Sequence, residues 1–211
     1  MFGTHDLALF IASGLLLNIA PGPDSILIMA RSARQGWRAG SAAALGIGAG
    51  TCIHVVGAAL GLSALLTTSA MAFTAVKWIG AAYLVYLGLA MLLNRTTDKL
   101  KAGMPEAAPM AYSRIFIQGL LTNVLNPKVA LFFLAFVPQF ITPGAEHKAL
   151  AFVFLGAIFN FNGMLWCHLL ALFSAYASQR IAVPAQWIKW LNRGIGALFL
   201  SFAIRLAITE N

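Results

Sequence analysis

Six long apolar runs fill most of this sequence: residues 7–30, 40–66, 70–93, 115–141, 149–177 and 188–208. A bilayer core about 30 Å thick takes about 20 residues of helix to cross, so each run has the length of one span. Of the 211 residues, 60% are apolar and 9% charged, against about 25% charged in a soluble domain. The sequence therefore predicts an all-α membrane protein of six transmembrane helices, in a single domain covering 1–211. The linkers at 31–38, 67–69, 94–113, 142–148 and 178–187 carry polar or helix-ending residues. Only the third is long. It splits the chain into a first half of about 1–94, a linker of about 95–113 and a second half of about 114–211.

Charge placement sets the orientation. If the spans alternate, Arg31, Arg34, Arg38, Arg95, Lys99, Lys101, Arg114, Arg180, Lys189 and Arg193 fall on one side, and Lys77, Lys148 and Arg205 on the other. Basic residues near span ends are retained in the cytoplasm, which puts both termini outside. The net charge of +8 is thus explained by topology and anionic headgroups, not by nucleic acid, for which no basic stripe interleaved with aromatics exists. Residues 1–6 lack a basic n-region, and the first apolar run exceeds a signal-peptide core, so it is expected to stay as a helix. Cys52 and Cys167 lie inside apolar runs and indicate no disulfide framework.

The halves share a pattern. Gly14-Leu-Leu-Leu-Asn18 in the first returns as Gly119-Leu-Leu-Thr-Asn123 in the second, 105 residues later, and a helix breaker follows each copy: Pro21-Gly22-Pro23-Asp24 and Asn126-Pro127-Lys128. With three spans per half, the second copy enters the membrane from the opposite side. The expectation is two inverted-topology three-helix repeats, with helices 1 and 4 broken near Pro21–Asp24 and Asn126–Lys128, as in secondary transporters.

Broken helices in hydrocarbon are tolerated only where protein or a wet cavity satisfies the freed backbone. Pro23 and Pro127 suit the first turn of a new helix, with Asn126, and Asp24 or Gly22, near its start. Such N-termini stabilise anions, although a proline kink also serves as a packing device. Asp24 and Lys128 are the charges set deepest in apolar sequence, each costing about 2.5–3.5 kcal/mol at mid-membrane. Asp24 reads as a proton carrier or ammonium ligand and Lys128 as a carboxylate ligand or counter-ion. A fixed ion pair or a snorkelling lysine is the structural alternative.

Asn18, Asn123, Gln118, Asn160, Asn162, His54 and His168 are the other polar residues inside spans, suited to a substrate path or to interhelical hydrogen bonds. Cys52 with His54, and Cys167 with His168, would bind a metal only if two spans aligned them, so no metal or cofactor is expected. The glycine pairs Gly46/Gly50 and Gly57/Gly61 allow close packing, within the protomer or in a homodimer. No nucleotide loop, HExxH or GxSxG motif occurs, and the six acids of the chain are too few for a two-metal enzyme.

These residues, Pro21-Gly-Pro-Asp24, the glycine-rich second span, and Gly119-Leu-Leu-Thr-Asn-Val-Leu-Asn-Pro-Lys128, make the whole chain resemble the LysE/RhtB family of bacterial amino-acid exporters. The resemblance implies export of amino acids across the bacterial cytoplasmic (inner) membrane, driven by proton entry, with Pro21, Gly22, Pro23, Asp24, Asn126, Pro127 and Lys128 as the matching positions. Family members often carry Ser or Thr where this chain has Ala20. The alternatives are an exporter of metal or other cations, opposed by the scarcity of intramembrane acids, and an embedded structural or enzymatic subunit, which needs no paired helix breaks.

Overall fold

Prolines decide where the first and fourth apolar runs stop being single helices. A residue before proline is pushed out of the helical region, and Ala20 (ψ 120), Gly22 (ψ −176) and Asn126 (ψ 107) are all extended. The computed structural model describes residues 2–62, 70–93, 109–142 and 144–177, with isolated positions between 186 and 204. Helix α1 (Leu7–Ile19) ends at the break and α2 (Pro23–Gln35) resumes at a 54° bend. In the second half α5 (Tyr112–Val124) stops before Asn126, and α6 (Pro127–Leu131) runs on through a π turn (Phe132–Phe136) and a tight turn (Val137–Phe140), bent by 47° from α5. Each half-helix before a break is 13 residues long, and α1 and α5 lie 105 residues apart at both ends, the offset of the repeated pentamer.

Around these stand α3 (Trp37–Gly57, continued by a π turn at Ala58–Leu62), α4 (Ala70–Leu92) and α7 (Lys148–Ala177). Two continuous helices, Trp37–Gly61 and Lys148–Tyr176, are long and apolar enough to cross a membrane, and the count reaches four if each bent pair is one span. The described residues are all-helical apart from an isolated bridge between Thr4 and Ile141. The linker at 67–69, residues 94–108 of the third linker, 178–187 apart from Gln186, and most of the sixth apolar run lie outside the described residues, as do Arg95, Lys99, Lys101, Arg180, Lys189 and Arg205.

Lipid is as apolar as a leucine side chain, so close backbone packing holds membrane helices together. The α3–α5 pair shows how. A Cβ added at Gly46 would meet the Phe116 carbonyl and the Leu120 nitrogen, and one at Gly119 the Ala43 carbonyl. The pair Gly46/Gly50 is therefore an internal contact of one protomer, while a Cβ at Gly57 or Gly61 meets nothing within 4 Å among the described residues. At the other end the core is aromatic: Phe10, Phe132, Phe133, Phe136, Phe140 and Phe159 are all buried, with the Phe132 and Phe159 rings 4.3 Å apart.

Each bent pair is also tied at its far end. His5 N–H donates to the Phe140 carbonyl (3.1 Å) and Thr142 N–H to the Gly3 carbonyl (2.7 Å). At the opposite end the Gln35 side-chain amide donates to the Met110 carbonyl (3.0 Å) and accepts from the Met110 N–H (3.1 Å). There Arg31 is buried, donating to Gln118 Oε1 at 2.8 and 3.2 Å.

Candidate functional site

Both helix breaks open onto one cavity. Its polar wall includes Asn18, Asp24, Ser25, Thr51, Asn123, Asn160 and Lys128, and its apolar wall includes Leu17, Ile47, Val129, Phe159 and Met164, with Cys167 also at its edge. The two halves thus contribute the two deep charges to the same space. The cavity volume is about 30 Å³. One water needs about 10–15 Å³, so anything larger than a few waters enters only when the walls part.

Asp24 sits in the first turn of α2. Asn123 Nδ2 donates to its Oδ2 at 2.9 Å; the Asn126 side chain also lies beside the carboxylate, but Asp24 Oδ1 and Asn126 Nδ2 are both buried without a hydrogen-bond partner among the described residues. Asn123 is itself gripped from α3: Thr51 Oγ1 lies 3.3 Å from its Oδ1, and His54 Nε2 lies 3.1 Å from its carbonyl. Lys128 does not reach Asp24, for among the described residues no ion pair within 4.0 Å joins them. Its Nζ donates instead to the Leu17 and Ala20 carbonyls, both at 3.1 Å. Leu17 lies in the last turn of α1 and Ala20 is its C-cap, where carbonyls lack intrahelical partners and a cation is favoured.

The remaining motif residues build the breaks. Asn126 caps α6, its Oδ1 accepting from Lys128 N–H at 3.0 Å. Pro23 and Pro127 take the first positions of α2 and α6. Pro21 follows the end of α1. Gly22 leaves room for the lysine, since a Cβ there would stand 3.2 Å from Lys128 Nζ.

Thr51, Phe159, Gly163 and Met164 also line the cavity and were not singled out by motif. One signal existed for this face of α3: Gly46, Gly50 and His54 are four residues apart and share a helical stripe. Asn160 donates to Cys52 Sγ at 3.3 Å. Among the described residues no three His, Cys, Asp or Glu side chains gather as a metal site requires.

Residues 15–210 match the family described as LysE type translocator. The chain belongs to that family. Among its relatives is an uncharacterised membrane protein of Pseudomonas aeruginosa, 32% identical over 97% of this chain and 96% of the relative. A leucine efflux protein of Salmonella typhimurium is 29% identical over 100% of this chain and 98% of its own. An uncharacterised membrane protein of Bacillus subtilis, YrhP, is 30% identical over 97% and 100%. No solved structure matches the chain. The family assignment, the relatives' names and the apolar helices together make this LysE-type chain a multi-pass membrane protein.

Proposed function

We propose that the protein is a secondary transporter that exports amino acids from the cytoplasm across the bacterial inner membrane by proton antiport. The observation that carries this reading is the meeting of Asp24 and Lys128, from opposite halves of the chain, in one cavity at two helix breaks. The LysE-type assignment and the leucine efflux relatives support the substrate class. Within that class, the apolar wall of Leu17, Ile47, Phe159 and Met164 suits an aliphatic side chain.

The architecture behind the proposal is six spans in two inverted repeats. It is supported by the 105-residue offset of α1 and α5 and by equivalent packing: Gly14 and Asn18 meet Phe159 and Gly163 of α7, as Gly119 and Asn123 meet Ala43 and Gly50 of α3. Both termini lie outside in this reading, and a homodimer packs through the open Gly57 and Gly61. Asp24 carries a proton inward and, on the return, the substrate ammonium, the two excluding one another at a single carboxylate. Lys128 provides positive charge for the substrate carboxylate.

The test is efflux of labelled leucine from proteoliposomes under a pH gradient. Asp24→Asn is expected to abolish gradient-driven efflux while leaving slow leucine–leucine exchange. Wild-type efflux in that variant would remove the carboxylate from the mechanism.

A further inference from the structure

Resting on the amino-acid reading above, we propose that the Asn18 side-chain amide is a ligand for the substrate carboxylate, standing to it as Asn123 stands to the carboxylate of Asp24. Asn18 and Asn123 hold the same place in the two copies of the repeated pentamer. Each also lies against a glycine in the long helix of the other half. A Cβ added at Gly163 would be 3.2 Å from Asn18 Nδ2, and one at Gly50 would be 2.9 Å from Asn123 Oδ1.

The two amides differ in what they hold. Asn123 Nδ2 donates to Asp24, whereas Asn18 Nδ2 is buried with no partner among the described residues. Counted from the prolines that open α2 and α6, the residue equivalent to Asp24 in the second half is Lys128, which lines the same cavity, so the chain supplies a cation and no carboxylate on that side.

A buried donor without a partner is destabilising and calls for an explanation. Here the cavity also presents the opposite kind of unpaired group, Asp24 Oδ1. Among the described residues that line the cavity, one unpaired donor and one unpaired acceptor are complementary to a ligand that is anionic at one end and cationic at the other. A zwitterion meets both demands. Its carboxylate bonds Asn18 Nδ2 beside the Lys128 ammonium, which is itself held on the carbonyl of the adjacent Leu17. Its ammonium bonds Asp24 Oδ1. An amine without a carboxylate would leave Asn18 unpaired.

The test compares L-leucine with 3-methylbutylamine, the same skeleton without the carboxylate, binding to the full chain in nanodiscs. In Asn18→Leu the leucine dissociation constant should rise by about tenfold or more, the loss of one hydrogen bond to a charged group. It should rise further in the nearly isosteric Asn18→Asp. Affinity for 3-methylbutylamine should change by less than about twofold in Asn18→Leu. A wild-type leucine constant in Asn18→Leu, or equal losses for both compounds, would overturn the proposal. Wild-type protein labelled with ¹⁵N-asparagine gives a reading that needs no variant to fold: the Asn18 amide resonance should move on adding leucine and stay with 3-methylbutylamine. An unmoved resonance in protein that binds leucine overturns the Asn18 assignment alone. Failure of the wild type to bind any of the standard amino acids overturns the transport reading as well.

Discussion

Replacing Gly119 by alanine tests the packing that positions the site. The new methyl would fall on the Ala43 carbonyl oxygen, with the Ala43 carbonyl carbon at 3.2 Å and its Cα at 3.3 Å. All three are backbone atoms of α3, which no rotamer change moves aside, and ordinary contact begins at 3.4 Å. The α3–α5 axes must therefore separate by on the order of an ångström, and overpacking of this kind costs about 1–3 kcal/mol. At about 2–4 °C per kcal/mol for a chain of this length, Tm in mild detergent should fall by about 2–12 °C. Intrinsic tryptophan fluorescence during a thermal ramp reads this directly. Gly57→Ala is the internal control, because the same methyl meets nothing within 4 Å among the described residues, and its Tm should hold or rise through better helix propensity. Since α5 carries Asn123, leucine efflux should also fall in Gly119→Ala. Equal Tm values in the two variants would refute the argument.

Asn126→Ala removes the cap of α6 and should cost about 1 kcal/mol in denaturant titration, largely restored by Asn126→Asp. Lys128→Met strips the donor from the Leu17 and Ala20 carbonyls; it should lower Tm and abolish efflux, with Lys128→Arg retaining more of both. Cysteines placed at Arg34 and Lys99 should react with impermeant maleimide only from the cytoplasmic side, and labelling in intact cells would overturn the orientation.

The helix breaks were legible because proline acts locally: Ala20, Gly22 and Asn126 take the extended conformations that their following prolines demand. The asparagine cap and the 105-residue offset were equally visible. Facing was not. In a membrane both the core and the surroundings are apolar, so Leu17 at 2% exposure and Leu60 at 71% are indistinguishable by type, and periodicity does not say that Thr51, Phe159 or Met164 turn inward. The partners of Lys128 were hidden for a different reason. They are main-chain carbonyls freed by the break, and a carbonyl has no letter in the sequence.

The hydrogen bond between Asp24 and Asn123 spans 99 residues of chain, and that distance is also a time. A ribosome adding about 5–20 residues per second delivers Asn123 roughly 5–20 s after Asp24. Through that interval the first break exists without the amide that later holds its carboxylate and without the ammonium that later holds the end of α1. The break itself is set locally by Pro21 and Pro23, but the bond that holds Asp24 waits for α5. Completion of this site therefore requires the synthesis of the second half, and a chain stalled in the long linker would hold Asp24 without the Asn123 amide.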